Sequence, residues 1–406
     1  MHILLIHQAF ASVNEAGGTR HYEMALHLVQ NNHRVTIITS PVSYMTGGKN
    51  DQANRQATED SFSGRLRIIR SYSIPALHKS FFHRLLNFFS FMVSSFLKGL
   101  AARQVDLVWG TTPPIFQAVT GWLLARLKRV PYVLEVRDLW PDFAIDVGVL
   151  NNHILISASR WLEKFLYRHA DHIIVNSPGF IQHISARTDK PITLIPNGVD
   201  ASMFTLNREG LEIKNHYGLD GKFVVLYAGA HGLANDLITL LEAAEVIINE
   251  TNIKIILVGD GKEKPALMAV AEANNLTNVL FLPPISKHQI HSILAASDAC
   301  LAILKPIDMF KTTYPNKVFD YMAAAKPVIL AIDGVIREVV EAAGCGIFTT
   351  PGNSQALADA IRTMAANPDN AAQMGKNGRF YVEKHFDRAE LSTRLEQLFA
   401  SLVDDK

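Results

Sequence analysis

Short apolar runs alternate with longer segments of helical periodicity from one end of the 406-residue chain to the other. His2 to Gln8, Val35 to Ser40, Leu66 to Ile69, Val105 to Trp109, Tyr132 to Val136, His172 to Asn176 and Thr193 to Ile195 read as strands. Thr19 to Gln30 reads as a helix ended by Asn31-Asn32, and a helix lies between most other successive strands. Near-continuous apolar strands separated by helices predict a parallel sheet covered on both faces. IPNGVDASMF, from Ile195, then carries Pro, Asn-Gly and Asp, which are turn chemistry. Beyond it the alternation restarts with Phe223 to Ala228, Lys254 to Val258, Val279 to Leu282, Ala299 to Leu304, Val328 to Ala331 and Ile347 to Thr349. The pattern predicts an α/β chain of two doubly wound, Rossmann-like domains, 1–197 and 198–384. The carboxyl ends of both sheets are expected to face a cleft, since ligands bind at such ends. Leu391, Leu395, Leu398 and Leu402 recur at helical spacing, so residues 385–406 are expected to pack back on the first domain.

His78 to Leu100 breaks this rhythm with six phenylalanines: Phe81, Phe82, Phe88, Phe89, Phe91 and Phe96. Only 13 uncharged residues separate Arg84 from Lys98, too few for a span of roughly 20 residues. Ser80, Arg84, Asn87, Ser94 and Lys98 fall near one side of a helix, and Lys79, Arg84, Lys98 and Arg103 flank it. Two readings stand together. The helix is buried against the first sheet, or it lies in a membrane interface as a basic, aromatic, amphipathic element.

Composition narrows the class. Hydrophobic content of 48% and charged content of 19% describe a globular chain, not a disordered one. A net charge of +1 supplies no field to recruit nucleic acid. Two cysteines, Cys300 and Cys345, without a CxxC pair or Cys/His cluster, point to a reducing compartment and away from disulfides or structural zinc. MHILLIHQAF is too short and strand-like an apolar run for a signal peptide, so a cytoplasmic location is expected.

The candidate chemistry collects at predicted strand ends. A helix opens at Tyr314-Pro315-Asn316, where proline suits the first helical turn. Its free N–H groups and positive dipole end suit a phosphate, with Lys317 close by for an anion. One turn on, Asp320 can accept hydrogen bonds from sugar hydroxyls. Gly17-Gly18-Thr19-Arg20 follows the first strand and opens the first helix, letting backbone approach an anion. It is not GxGxxG, which weighs against a dinucleotide. In Glu135-Val136-Arg137-Asp138-Leu139-Trp140-Pro141-Asp142, Arg137 can pair with a phosphate and Asp138 can receive a hydroxyl proton; an Arg–Asp brace under Trp140 is the structural alternative. Gly229-Ala230-His231-Gly232, Gly259-Asp260-Gly261-Lys262 and Pro283-Pro284-Ile285-Ser286 end three successive strands, so with the Tyr314 region four loops are expected to converge on one ligand. His21, His27, His169 and His288 read as ordinary surface or core positions. GxSxG, HExxH, GxxxxGK[ST] and EF-hand patterns are absent.

GGTRHYEMALHLVQNNHRVTIIT, EVRDLWP, LIPNGVD, YAGAHGLAND, VGDGKEK and PNKVFDYMAAAKPVI run nearly end to end through the chain. In these stretches it resembles the GT-B glycosyltransferases of family 4, and among them the WbuB-type subgroup of bacterial surface-polysaccharide assembly. LIPNGVD and the last stretch are the more specific. The resemblance implies transfer of a sugar from a nucleoside diphosphate, UDP by expectation, with retention of anomeric configuration. It implies no cofactor and no bound metal, the UDP-sugar being a co-substrate whose diphosphate helix N-termini and cations hold. Asp320 matches the second acid of the family's E-x7-E pattern, expected at the ribose. The first acid falls on Thr312, so that carboxylate is missing, and Asp320 is shorter than the usual glutamate. AGAHGLAND replaces the family's basic pair, which leaves Lys317, Arg20 or Lys262 to supply positive charge. Arg137-Asp138 stands where many relatives have His-Asp.

The expected donor site thus comprises Gly17, Gly18, Arg20, His231, Gly259, Asp260, Pro283, Ile285, Tyr314, Pro315, Asn316 and Asp320, with Lys317, Arg137 and Asp138 carrying the chemistry. Lys317 and fixed donors stabilise the departing UDP, the leaving phosphate takes the proton, and Asp138 orients the acceptor. The expected acceptor is a polyprenyl-diphosphate-linked sugar presented at the inner membrane surface beside 78–100. The subgroup suggests an N-acetylated deoxyhexosamine as donor sugar and O-antigen or capsule as product. Two rivals are epimerisation of a UDP-N-acetylhexosamine, revealed by a new epimer without acceptor, and a non-catalytic sugar-nucleotide-binding component, revealed by UDP binding without turnover.

Overall fold

The computed structural model describes residues 1–12, 15, 17–42, 58–75, 81–204, 209–285 and 287–404. His78, Lys79, Ser80 and Ser286, singled out above, lie outside the described residues, as does the side chain of His288. The chain forms two compact units. One takes Met1–Ser12, Gly17–Pro196 and Arg388–Lys406, the other Asn197–Asp387.

The first unit is built on β1 (His2–Ile6), β2 (Arg34–Thr39), β3 (Thr58–Ser61), β4 (Leu66–Arg70), β5 (Leu107–Thr112), β6 (Tyr132–Val136), β7 (His172–Val175) and β8 (Ile192–Leu194). They lie in the order β3-β4-β2-β1-β5-β6-β7-β8. All pair in parallel except β3, which runs antiparallel to β4 at the edge. The interior strands are apolar on both faces because helices cover both. TEDS of β3 carries no such signal, and β4 alone makes it a strand. β5 lies two residues later than the apolar run predicts, because Thr111 and Thr112 continue its ladder to Glu135 and Val136.

On one face, α1 (Arg20–Gln30) packs against the C-terminal helix Arg388–Asp404. Leu391, Leu395 and Phe399 enter the same core as Met24, Leu28 and Trp109. The returning segment begins at Arg388 and not at 385, since Phe386 and Asp387 pair with Val199 in the second unit. Also in the first unit are α2 (Phe81–Ala101), α3 (Ile115–Lys128), α4 (Asp142–Asp146) and α5 (His153–His169). α3 packs against both α2 and α5.

α2 is turned inside out relative to an ordinary surface helix. Its uncharged polar residues point inward: Asn87 Oδ1 accepts from Gln8 Nε2 at 2.7 Å, and Asn87 Nδ2 donates to Ile74 O at 2.6 Å. Ser90 Oγ accepts from Ile74 N at 3.0 Å, and Ser71 Oγ donates to Ser94 Oγ at 2.9 Å. Phe82, Leu86, Phe89, Val93, Leu97 and Leu100 form the exposed side. Phe91, by contrast, is fully buried. Among the described residues no helix is long and apolar enough to cross a membrane.

The second unit holds β9 (Phe223–Ala228), β10 (Ile253–Val258), β11 (Val279–Leu282), β12 (Ala299–Ile303), β13 (Val328–Ala331) and β14 (Gly346–Phe348), in the order β11-β10-β9-β12-β13-β14. Every pairing is parallel, with one hydrophobic layer on each face. Strand order reverses between β9 and β12, the point at which a doubly wound sheet opens its carboxyl end to a ligand.

Candidate functional site

At that reversal in the second unit, β9 ends in Gly229 and the helix Asn316–Ala323 begins with Pro315 as its N-cap. The phenol of Tyr321 ties the two together, accepting from Ala228 N at 3.0 Å. Lys317 Nζ is shut away from solvent without a hydrogen-bond partner in the structure. It lies over the Tyr227 ring, 3.9 Å from the centroid, and the ring face offsets part of the cost of burying the charge. Burial lowers this amine to about 7. His231 is fully buried beside it, and both ring nitrogens lack partners. Burial first, then Lys264 and Lys317, lower the imidazole to about 4, so it is neutral at physiological pH. A buried amine and two imidazole nitrogens without partners are rare in a finished core. The amine and the single N–H of the neutral imidazole together form a ready receptor for an anion.

The glycine turns bring these groups together. His231 N donates to Asp260 O at 2.8 Å, and Glu263 N donates to His231 O at 3.0 Å. Gly259 has φ +143°, and a Cβ there would come within 1.9 Å of Gly229 O; one at Gly261 would come within 2.3 Å of His231 O. These approaches, not the turns alone, demand glycine. Gly259→Ala is expected to lower the melting temperature, because the added Cβ forces the two glycine turns apart; thermal denaturation reads the effect.

Other predicted members have varied positions. Asp320 is partly buried, three residues after Lys317 on the same helix, and Asn316 is exposed. Asp260 Oδ1 accepts from Gly261 N at 2.8 Å. Pro283 is exposed, while Ile285 packs against the core. The Tyr314 ring stacks edge-on with Phe319 and Phe386, at 5.7 and 6.1 Å, so its side chain supports the loop. Lys262 is exposed; Lys264 instead braces the turns, donating to Gly259 O at 2.7 Å and Leu282 O at 2.8 Å.

Arg20 requires a correction. Its guanidinium is buried and engaged within the first unit. Nε donates to Glu135 at 2.9 Å, Nη2 to Ile195 O at 2.9 Å, and Nη1 to Pro196 O. It therefore anchors α1 to the end of the first unit, each of its three nitrogens already donating to a protein acceptor. Gly17 and Gly18, just before it, are exposed.

Glu135 is the centre of this buried cluster. Besides Arg20 it accepts from Trp109 Nε1 at 3.0 Å and faces His21 Nε2 at 2.8 Å. Burial disfavours its charge, but His21 and Arg20 outweigh that and hold its carboxyl well below the usual range. Burial drives His21 down to about 4 despite Glu135, so it serves as a neutral donor. His7, at the end of β1, was not marked by the sequence reading. Its ring lies 4.1 Å from that of His21, its Nδ1 lies 2.8 Å from Thr111 Oγ1, and its Nε2 lies 3.3 Å from Arg137 Nη1. The polar pair His7-Gln8 closing an apolar strand was the available signal. Asp138 follows, with Oδ1 buried and unpartnered. Burial raises its carboxyl to about 7 against the pull of Arg137, which suits it to hold or exchange a proton near neutrality.

Comparison with known proteins agrees with this architecture. Residues 16–198 match the glycosyl transferase 4-like domain, and residues 211–380 match glycosyl transferases group 1. The chain is 24% identical over 381 residues to WcaI of Escherichia coli K12, named for colanic acid biosynthesis, covering 90% of this chain and 91% of that one. It is 26% identical over 266 residues to the glycosyltransferase WbjE of Pseudomonas aeruginosa, covering 64% and 66%. Sucrose-phosphate synthase from Thermosynechococcus elongatus superposes with TM-score 0.81 at 19% identity, covering 100% of both chains. HepE from Anabaena, solved with UDP-glucose, gives 0.74 at 18% identity, covering 99% and 100%. Two α/β units, each matched by its own glycosyltransferase family model, thus make this chain a member of the GT-B glycosyltransferases of group 1.

Proposed function

We propose that the protein moves a sugar from a UDP-sugar to a lipid-linked saccharide, with retention of configuration, during assembly of a bacterial surface polysaccharide. Membership of the WbuB-type subgroup belongs to the same proposal. The observation that carries it is the unpartnered Lys317 ammonium beside His231, at the point where the second sheet reverses its order. A nucleoside diphosphate supplies the acceptor oxygens these groups lack, and the free N–H groups of the Asn316–Ala323 helix add to the positive field. Asp320, three residues on, is assigned the ribose hydroxyls.

As the sugar–phosphate bond breaks, negative charge grows on the β-phosphate. Lys317 and the fixed N–H donors stabilise that charge, in this reading without a metal ion. The departing phosphate accepts the proton of the attacking hydroxyl, so front-face transfer needs no protein nucleophile. Asp138 holds the acceptor hydroxyl. Relatives named for colanic acid biosynthesis and for an O-antigen chain support the polysaccharide setting, and UDP-glucose in a structural neighbour supports the donor class. The exposed side of α2 is assigned to peripheral contact with the inner membrane surface.

A mass-spectrometric screen tests the proposal directly. A panel of UDP-sugars is offered to the purified chain with a lipid-linked acceptor preparation, membranes present or absent. The expected product is the acceptor heavier by one sugar, with UDP released in equal amount. UDP bound but no sugar passed to any acceptor overturns it.

A further inference from the structure

Within the first unit, a cavity of about 100 Å³ lies between α2, the loop after β6, and α5. Leu85, Phe88, Phe116, Trp140, Val149 and Leu155 supply apolar walls, and Arg84 stands on its edge. Phe116 links the cavity to the exposed side of α2, its ring lying 4.8 Å from that of Phe89 and 6.2 Å from that of Trp140. Trp140 is two residues beyond Asp138 on one loop. An unbroken aromatic path thus runs from the outward side of α2 to the loop that carries Asp138.

Cations outnumber carboxylates beside this path: α4, which brings Ala144 to the cavity, carries Asp142, paired with Arg160 and Arg187, and Asp146. α2 and α3 contain no carboxylate, and the one on α5, Glu163, is buried and engaged by His183 and Arg187. Arg84, Lys98, Arg126, Lys128, Lys164 and Arg168 lie on these helices. A ligand suited to this surface has a slender apolar chain, branched to fill an aromatic-walled cavity, and an anionic head for Arg84.

Resting on the lipid-linked acceptor proposed above, we infer that this cavity binds the first prenyl units of a polyprenyl diphosphate carrier, with Arg84 meeting its diphosphate. The polar-in, apolar-out arrangement of α2 then has a cause. Its outward stripe is the track along which the rest of the chain lies, and its inward polar residues fix the helix on the sheet. The cavity is of the size of about one or two five-carbon units, so it recognises the proximal end of the carrier and leaves the remainder outside.

A diazirine-tagged farnesyl diphosphate is the probe, photolysed with the full chain and mapped by peptide mass spectrometry. Labelling is expected on Leu85, Phe88, Trp140 or Leu155. Unlabelled farnesyl diphosphate is expected to compete at least ten times better than dodecyl phosphate, whose straight chain lacks the methyl branches. Ser159→Trp, which fills the cavity from partly exposed α5, is expected to cut pocket labelling at least tenfold while leaving UDP binding unchanged. Arg84→Gln, a conservative surface change that keeps the fold testable, is expected to weaken farnesyl diphosphate about tenfold and farnesol hardly at all. Labelling confined to the outer stripe, equal competition by dodecyl phosphate, or pocket labelling indifferent to both variants would each overturn the inference. UDP binding on the same samples separates the two ideas: UDP bound without pocket labelling removes only the prenyl site, whereas pocket labelling without UDP binding removes the donor assignment.

Discussion

Replacing Lys317 by methionine is expected to lower kcat by about 100- to 1,000-fold, the loss typical of removing one fixed donor to a developing oxyanion. The folded state should not suffer. The wild-type amine is buried with no hydrogen-bond acceptor, and burial brings it to about 7. A lysine depressed in this way weakens the fold as pH falls from its unfolded value of 10.5 toward 7, because the unfolded chain takes up the proton first. Methionine removes that penalty and keeps the apolar stem over Tyr227, so the melting temperature at neutral pH should hold or rise. UDP affinity carries the same signature with the opposite sense. A diphosphate stabilises the ammonium, so UDP should bind about tenfold more weakly per pH unit above 7 until the bound-state value is passed. Calorimetry at pH 8 in two buffers of different ionisation heat should report uptake of close to one proton on UDP binding, and none in the variant. Full turnover by Lys317→Met, or binding without proton uptake, would remove the assigned role.

Much of this geometry was legible in the chain, and the exceptions have physical causes. β6, β9 and β13 occupy the predicted residues because fully buried strands write a nearly continuous apolar run, and the apolar edge strand β11 does so too. β3 was not legible, since an edge strand of Thr, Glu, Asp and Ser owes its form to a neighbour's ladder. Lys317 was visible as a cation at the mouth of a helix after a strand. His231 was visible only as a histidine in a glycine turn; that both its nitrogens go unmet depends on packing around Tyr227 and Phe281. Arg20 was misjudged for the complementary reason. A cation at a helix start suits a phosphate, but its carboxylate partner comes 115 residues later. Of the side marked as polar on α2, Asn87 and Ser94 bond inward while Lys98 is exposed; periodicity says which residues share a side and not which side faces the sheet.

Removing that distant partner should have the largest effect on stability. Glu135 is wholly buried and receives Arg20, His21 and Trp109 together. Glu135→Ala leaves the Arg20 guanidinium charged in the core, a type of loss that costs about 3–5 kcal/mol. For a unit of this size that corresponds to a fall in melting temperature of about 6–20 °C. Arg20→Met in the Glu135→Ala background should recover part of the loss, since removing both charges takes away the uncompensated one. The cycle of single and double variants therefore reads a coupling that a merely crowded site would not give. Acid unfolding gives an independent check with a fixed sign. Glu135 is held below its unfolded value, so its contribution is present above about 4.5 and is lost as pH falls further. His21 is also depressed, to about 4, so the unfolded chain binds its proton first and stability declines from pH 6.5 downward. Both terms act in the same direction, and denaturant midpoints should drop steadily between pH 7 and pH 4. His21→Gln should flatten the upper part of that decline while preserving a neutral donor for Glu135. An unchanged slope in His21→Gln would mean that the acid sensitivity arises elsewhere in the chain.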